Sequence, residues 1–132
     1  MTNATYGYTK NLGALPFGEA VEKVTNALKT QGFGVLTEID VKATLKKKLD
    51  VDFRQYKILG ACNPPLAHKA LSSELLIGLL LPCNVVVFEE DDGTVTVSMV
   101  NPKEMFKVVE NPELSSLAGE VDAKIMGALE AV

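Results

Sequence analysis

Two stretches of this chain read most clearly as strands: Asn84 to Glu90 (NVVVFEE), rich in branched and aromatic residues, and Thr94 to Val100 (TVTVSMV), which alternates small polar and apolar residues. Asp91-Asp92-Gly93 lies between them, and period-two patterning around such a turn predicts a β-hairpin. Three further segments read as strands. Tyr6 to Asn11 opens on aromatic and β-branched residues, Phe33 to Ile39 follows a glycine, and Arg54 to Cys62 turns apolar in its second half. Gly60 and Ala61 leave the exit of the last of these uncrowded, free for a neighbouring backbone or a ligand.

Between the strands the period changes to three and four. Phe17, Ala20, Val21, Val24, Ala27 and Leu28 fall on one helical face, and Gly32 supplies a stop. Asp40 is placed to cap a short helix carrying Val41, Leu45 and Leu49 on one side and lysines on the other. Asn63-Pro64-Pro65 and Asn111-Pro112-Glu113 are helix starts: the asparagine caps, and proline fits the first turn, where its missing N–H has no partner to lose. Leu66, Ala67, Ala70 and Leu71 continue the first of these. Leu114, Leu117, Ala118, Val121, Ile125 and Leu129 form the buried face of the second. Leu75 to Leu81 is continuously apolar, which fits buried helix and buried strand equally.

The order of major elements is therefore strand, helix, four strands, helix, with two small helices around the third strand. Adjacent strands without long crossovers favour antiparallel pairing, and helices with one apolar stripe cover one sheet face. The expected class is α+β, a mostly antiparallel five-stranded sheet with helices packed on one face, in a single domain over 1–132.

Composition narrows the function classes. The 132 residues carry a formal net charge of -4, which argues against a nucleic-acid partner, since that role needs a clustered positive surface. Lys46-Lys47-Lys48 reads as a solvated helix face. The longest apolar run, Leu75 to Val87, is interrupted by Gly78, Pro82 and Asn84 and is shorter than the roughly 18 to 20 residues of a bilayer span. No basic region followed by an apolar core opens the chain, so a cytoplasmic protein without a membrane partner is expected. In that compartment the two cysteines are expected as thiols. No GxGxxG, Walker loop or GxSxG is present, and no nucleophile and base pair stands out.

The segments KILGACNPPLAHKAL and IGLLLPCNVVVFEE, followed by an acidic turn and a second strand, resemble the domain of unknown function 302 family of small bacterial and archaeal proteins. The resemblance covers Thr9 to Leu129, and its most specific pieces are Gly60-Ala61-Cys62-Asn63-Pro64 and Pro82-Cys83-Asn84-Val85. It implies an architecture of the TATA-binding-protein type, strand-helix-four strands-helix. It implies a candidate site and no reaction, and it leaves any cofactor unknown.

The candidate chemistry lies between Lys57 and Glu90, which holds both cysteines and the sole histidine. If the third and fourth strands pair antiparallel, Cys62 and Cys83 face each other at one sheet edge, with Cβ atoms about 4.5 to 5.5 Å apart. His68, in the first turns of the intervening helix, is placed to reach the same edge, and Asn63 is a cap and polar anchor. Three chemistries fit. Cys62 is a reactive thiol near a helix start, with Cys83 as its resolving partner; the two form a reversible disulfide; or Cys62, Cys83 and His68 share a soft metal ion. The plain alternative is that each cysteine is a packing residue. Glu89, Glu90, Asp91 and Asp92 read as a solvated turn. Glu38 and Asp40 are a possible carboxylate pair, with Asp40 better explained as a cap.

Two functions of different kinds follow: a ligand-, metal- or redox-responsive protein built around Cys62, Asn63, His68 and Cys83, or a non-catalytic homo-oligomer, a dimer, joined through a sheet face that its own helices leave uncovered.

Overall fold

Residues 4–132 are described by a computed structural model. The strands are β1 (Gly7–Asn11), β2 (Gly34–Asp40), β3 (Tyr56–Cys62), β4 (Cys83–Glu89) and β5 (Val95–Val100). They form one sheet in the order β1-β5-β4-β3-β2, and every neighbouring pair is antiparallel. The helices are α1 (Phe17–Lys29), α2 (Val41–Leu49), α3 (Pro64–Ser73), α4 (Pro102–Met105) and α5 (Pro112–Glu130). The α+β order expected from patterning is thus the observed one, with strand ends displaced by one or two residues.

Alternation along the strands explains which face is covered. Leu59, Val85 and Met99 stand side by side across β3, β4 and β5 and are fully buried, as are Val87 and Val97 in the next row. Burying each such side chain contributes roughly 1.5–3 kcal/mol. Against them pack Ala20, Val24 and Leu28 of α1 and Leu114, Ile125 and Ala128 of α5. No helix among the described residues is long and apolar enough to cross a membrane.

The caps form where the asparagines and Asp40 stand. Asp40 Oδ1 accepts from the Ala43 N–H at 2.9 Å, and Asn111 Oδ1 accepts from Glu113 N–H at 3.1 Å. Between β5 and α5, Asn101 caps α4 by accepting from the N–H groups of Lys103 and Glu104, and a 3₁₀ turn, Phe106–Val108, follows. At the acidic hairpin tip Asp92 Oδ1 accepts from both the N–H and the hydroxyl of Thr94, which holds its carboxyl below the usual range, and Asp91 pairs with Arg54. The tip is a hydrogen-bonded turn.

Leu75–Leu80 is neither buried helix nor buried strand. It is a six-residue 3₁₀ turn in which only Ile77 is buried, while Leu75, Leu76 and Leu79 are 81%, 70% and 83% exposed. Runs of 3₁₀ geometry longer than three or four residues are uncommon.

The C-terminal helix is fastened to β1 by polar contacts. Tyr8 Oη donates to Asp122 Oδ1 at 2.5 Å, Lys103 Nζ stands 3.6 Å from Asp122 Oδ2, and Lys10 Nζ donates to the carbonyls of Leu129 and Val132 at the negative end of α5. Asp122 is 5% exposed, and both of its carboxylate oxygens have partners. The carboxylate raises the Tyr8 hydroxyl from 10.0 to about 12, because ionising the phenol would lose the hydrogen bond and set two negative charges together.

A raised folded-state pKa means that the stabilisation is whole below the unfolded value and disappears as pH rises through the folded one. Urea midpoints of the wild type should therefore fall between pH 10 and pH 12. Tyr8→Phe should cost about 1.5–3 kcal/mol at pH 7 and remove that alkaline limb. An unchanged limb in Tyr8→Phe would place the titration on another group.

Candidate functional site

The β3–α3 junction is built by three consecutive residue choices. Cys62 ends the strand, Asn63 leaves it, and Pro64 and Pro65 supply the fixed φ of the first helical turn. Asn63 is 8% exposed and uses both ends of its amide: Oδ1 accepts from Leu66 N–H at 3.4 Å, and Nδ2 donates to the Gln31 carbonyl at 3.1 Å. It is the anchor expected of it, tying α3 to the turn before β2.

The register corrects the placement of the cysteines. Ala61, not Cys62, stands opposite Cys83, and Cys62 stands opposite Gly34 on β2. Successive strand residues point to opposite faces, so the two thiols do not face each other across the β3–β4 pair. Nor is the place an edge of the sheet, since β3 and β4 are inner strands; it is the end of those two strands. Both cysteines are free thiols, Cys83 buried and Cys62 half-buried. Burial, and then the neighbouring Cys62 sulfur, push the Cys83 thiol from 9.0 up to about 11. A thiol held protonated is a poor resolving nucleophile.

His68 is not part of this place. Leu66 and Ala70 turn inward on α3, and a residue two positions from each lies about 200° around the helix, on its solvent side. Among the described residues no three of His, Cys, Asp and Glu are grouped to hold a metal ion, so Cys62, Cys83 and His68 are not a ligand set. Glu38 and Asp40 are not a paired site either: Glu38 Oε1 takes Lys57 Nζ at 2.5 Å, and Asp40 caps α2.

What the two cysteines and Asn63 do share is a half-open cavity of about 330 Å³. Its floor is Ala61 and Cys83 at the sheet end. Leu66, Ala67, Ala70 and Leu71 of α3 form one wall, Leu117 and Val121 of α5 another, and Phe33 and Phe106 close the sides. Gly78 and Leu81 enter from the exposed 3₁₀ turn. Leu36, 68% exposed, and Thr37 stand at the rim, where a β-bulge between Val35 and Thr37 interrupts the β2–β3 register. Bulges of this kind re-aim side chains beside sites. The space over Gly60 is not open to a ligand as expected: a methyl group there would overlap the Thr37 hydroxyl and Pro82 Cγ, so glycine is needed for their close approach.

Local pattern could not have named Phe33, Phe106, Leu117 and Val121 as wall residues. The available signal was the run of small residues, Ala61, Ala67, Ala70 and Gly78, on elements that otherwise pack large ones.

The other sheet face is uncovered. Tyr56 and Phe88 stack on it with ring centroids 5.4 Å apart and planes 12° from parallel. With Val86, Val100, Asn84 and Ser98 they line a recess of about 490 Å³.

The family model for "Domain of unknown function DUF302" matches residues 8–132. Comparison with curated proteins finds no match. Among solved structures the chain is similar to "Crystal structure of uncharacterized conserved protein DUF302 from Bacillus stearothermophilus", with 32% identity and a TM-score of 0.87 over 97% of this chain and 98% of that one.

The two thiols should separate kinetically. With a pKa of about 11, Cys83 is thiolate in only about one molecule in a thousand at pH 8. A thiol-reactive chromophore at pH 8 should label one cysteine per chain quickly, a phase absent in Cys62→Ser, and Cys83 only on unfolding. Rapid labelling of both in the native protein would contradict the burial of Cys83.

Proposed function

The chain belongs to the DUF302 family, and from the site that its fold carries we propose that the protein binds a small molecule in the cavity between α3, α5 and the end of β3–β4. What supports this reading is the cavity itself. The chain's own side chains leave the space between α3, α5 and the sheet end unfilled, and a concave, mostly apolar recess is the usual form of a small-molecule site. Its volume lies at the lower end of small-molecule sites, its wall is apolar, and it is reached from solvent beside Leu36. In this reading Cys62 is the thiol of the wall that solvent reaches and Cys83 is floor. Asn63 holds α3 at the angle that keeps the space open. The response is to a ligand, and neither metal binding nor a disulfide is part of it.

The test is a titration with 2-naphthol followed by its fluorescence. Saturable one-to-one binding is expected. Ala70→Met, which places a flexible apolar chain into the cavity, should weaken it at least about tenfold without lowering the melting temperature. Absence of saturable binding in the wild type, or undiminished binding in a folded Ala70→Met protein, would end this reading.

A second reading rests on the uncovered face, and it concerns assembly rather than ligand. The stacked Tyr56 and Phe88, half-buried Val86 and Val100, and Ile39 at 49% exposure form an apolar surface on a sheet whose helices all lie elsewhere. We propose a homodimer through this face. Sedimentation velocity across micromolar concentrations should report a dimer, and Val86→Glu a folded monomer. A wild-type monomer over that whole range would remove the proposal.

A further inference from the structure

The cavity sits at the start of a ten-residue helix, where unpaired N–H groups ordinarily make a site for carboxylate or phosphate. Here none is left. Pro64 and Pro65 occupy the first two helical positions and have no N–H. The Leu66 N–H is given to Asn63 Oδ1 at 3.4 Å, and the Ala67 N–H to the Asn63 carbonyl at 2.9 Å. The Phe33 N–H, on the other side of the cavity, is bonded to the Leu28 carbonyl at 3.0 Å. The Asn63 amide, the one side-chain amide of the wall, gives one of its two N–H groups to the Gln31 carbonyl.

No lysine, arginine or histidine lines the cavity to replace these donors. The polar side-chain atoms of the wall without a hydrogen-bond partner among the described residues are the Thr37 hydroxyl at the rim and the two thiols. The hydroxyl and the second Asn63 N–H suit a neutral hydrogen-bonding group and carry no charge to neutralise an anion. An unpaired charge taken into such surroundings loses its water and gains nothing.

We propose that the cavity selects uncharged, largely apolar molecules of about a dozen heavy atoms and rejects carboxylates and phosphates of the same shape. The size follows from comparison with a 150 Å³ apolar cavity that takes one benzene, since about 330 Å³ is roughly twice that. Fused bicyclic arenes and medium-chain alcohols or esters fit the class. Free fatty acids, nucleotides and acyl groups on a phosphorylated carrier do not. The double proline that fixes the direction of α3 thus also sets the selectivity. This inference rests on the cavity being a binding site.

The experiment uses two matched pairs at pH 7.5 on the full chain, 2-naphthol against 2-naphthoate and 1-octanol against octanoate, by calorimetry or competition. The neutral member of each pair should bind at least about tenfold more tightly. Leu36→Lys, a change at an exposed rim position, should raise 2-naphthoate affinity at least about tenfold by supplying the missing cation. Equal affinity within a pair overturns the selectivity while leaving the binding reading standing. Failure of the lysine to recover the anion shows that its exclusion is steric and overturns the inference as argued. Binding of neither member in either pair removes both the reading and the inference.

Discussion

The antiparallel register of β3 on β4, with Leu59 beside Val85 and Ala61 beside Cys83, is the constraint on which the rest of the molecule depends. Strand side chains alternate, so this register turns Leu59, Ala61, Cys83, Val85 and Val87 to one face together; a slip of one residue on either strand would turn its set to solvent. Once they share a face, α1 and α5 have an apolar surface to cover, and Tyr8 with Asp122 and Lys10 with the end of α5 hold the cover in place. At the end of the two strands the covering layer is α3, whose direction is decided one residue after Cys62 by Asn63-Pro64-Pro65. The residues it presents there, Ala67 and Ala70, are too small to reach Ala61, and the volume left between them is the cavity.

Much of this architecture was legible because it rests on local signals. The β-branched run of NVVVFEE, the alternation of TVTVSMV and the Asp-Asp-Gly turn between them identified the hairpin, and Asp40, Asn63 and Asn111 each marked a helix start whose hydrogen bond is present. These signals survive because propensity and tertiary context agree at those positions. The Leu75–Leu80 turn was not legible for the opposite reason. A run of leucines with one glycine satisfies every buried template, and only the tertiary structure decides that three of the four leucines face outward. The bulge at Leu36 was equally invisible, since an extra residue in one strand leaves the apolar-polar pattern of FGVLTEI unremarkable.

The candidate site was legible in part, and the division follows from what each residue's neighbours decide. Asn63 was placed correctly because capping is a local act. Cys62 and Cys83 were correctly brought to the paired ends of β3 and β4, but their facing depended on register, which differs by one position from the simplest alignment of strand ends. His68 failed on helical phase: with Leu66 and Ala70 inward, the position midway between them must point out. The cavity could not be seen at all, because its wall joins residues as distant as Phe33 and Val121, and empty volume is a property of what several elements fail to fill.

The cavity and the uncovered face are separate sites with one point of approach. The cavity opens at the end of the sheet on the helical side, and the Tyr56–Phe88 recess lies across the strands on the other. Thr37 at the cavity rim and Ile39 on the open face are two residues apart on β2 and share its face, so a second copy seated over Ile39 approaches the rim, and the two sites adjoin there. They meet at Gly60, which is buried, pairs with Asn84 of the open recess, and is overlain by Thr37 and Pro82 of the cavity wall. Gly60 lacks a Cβ on the face that carries Tyr56, and the Thr37 hydroxyl and Pro82 Cγ occupy that space, so a side chain there would displace part of the wall.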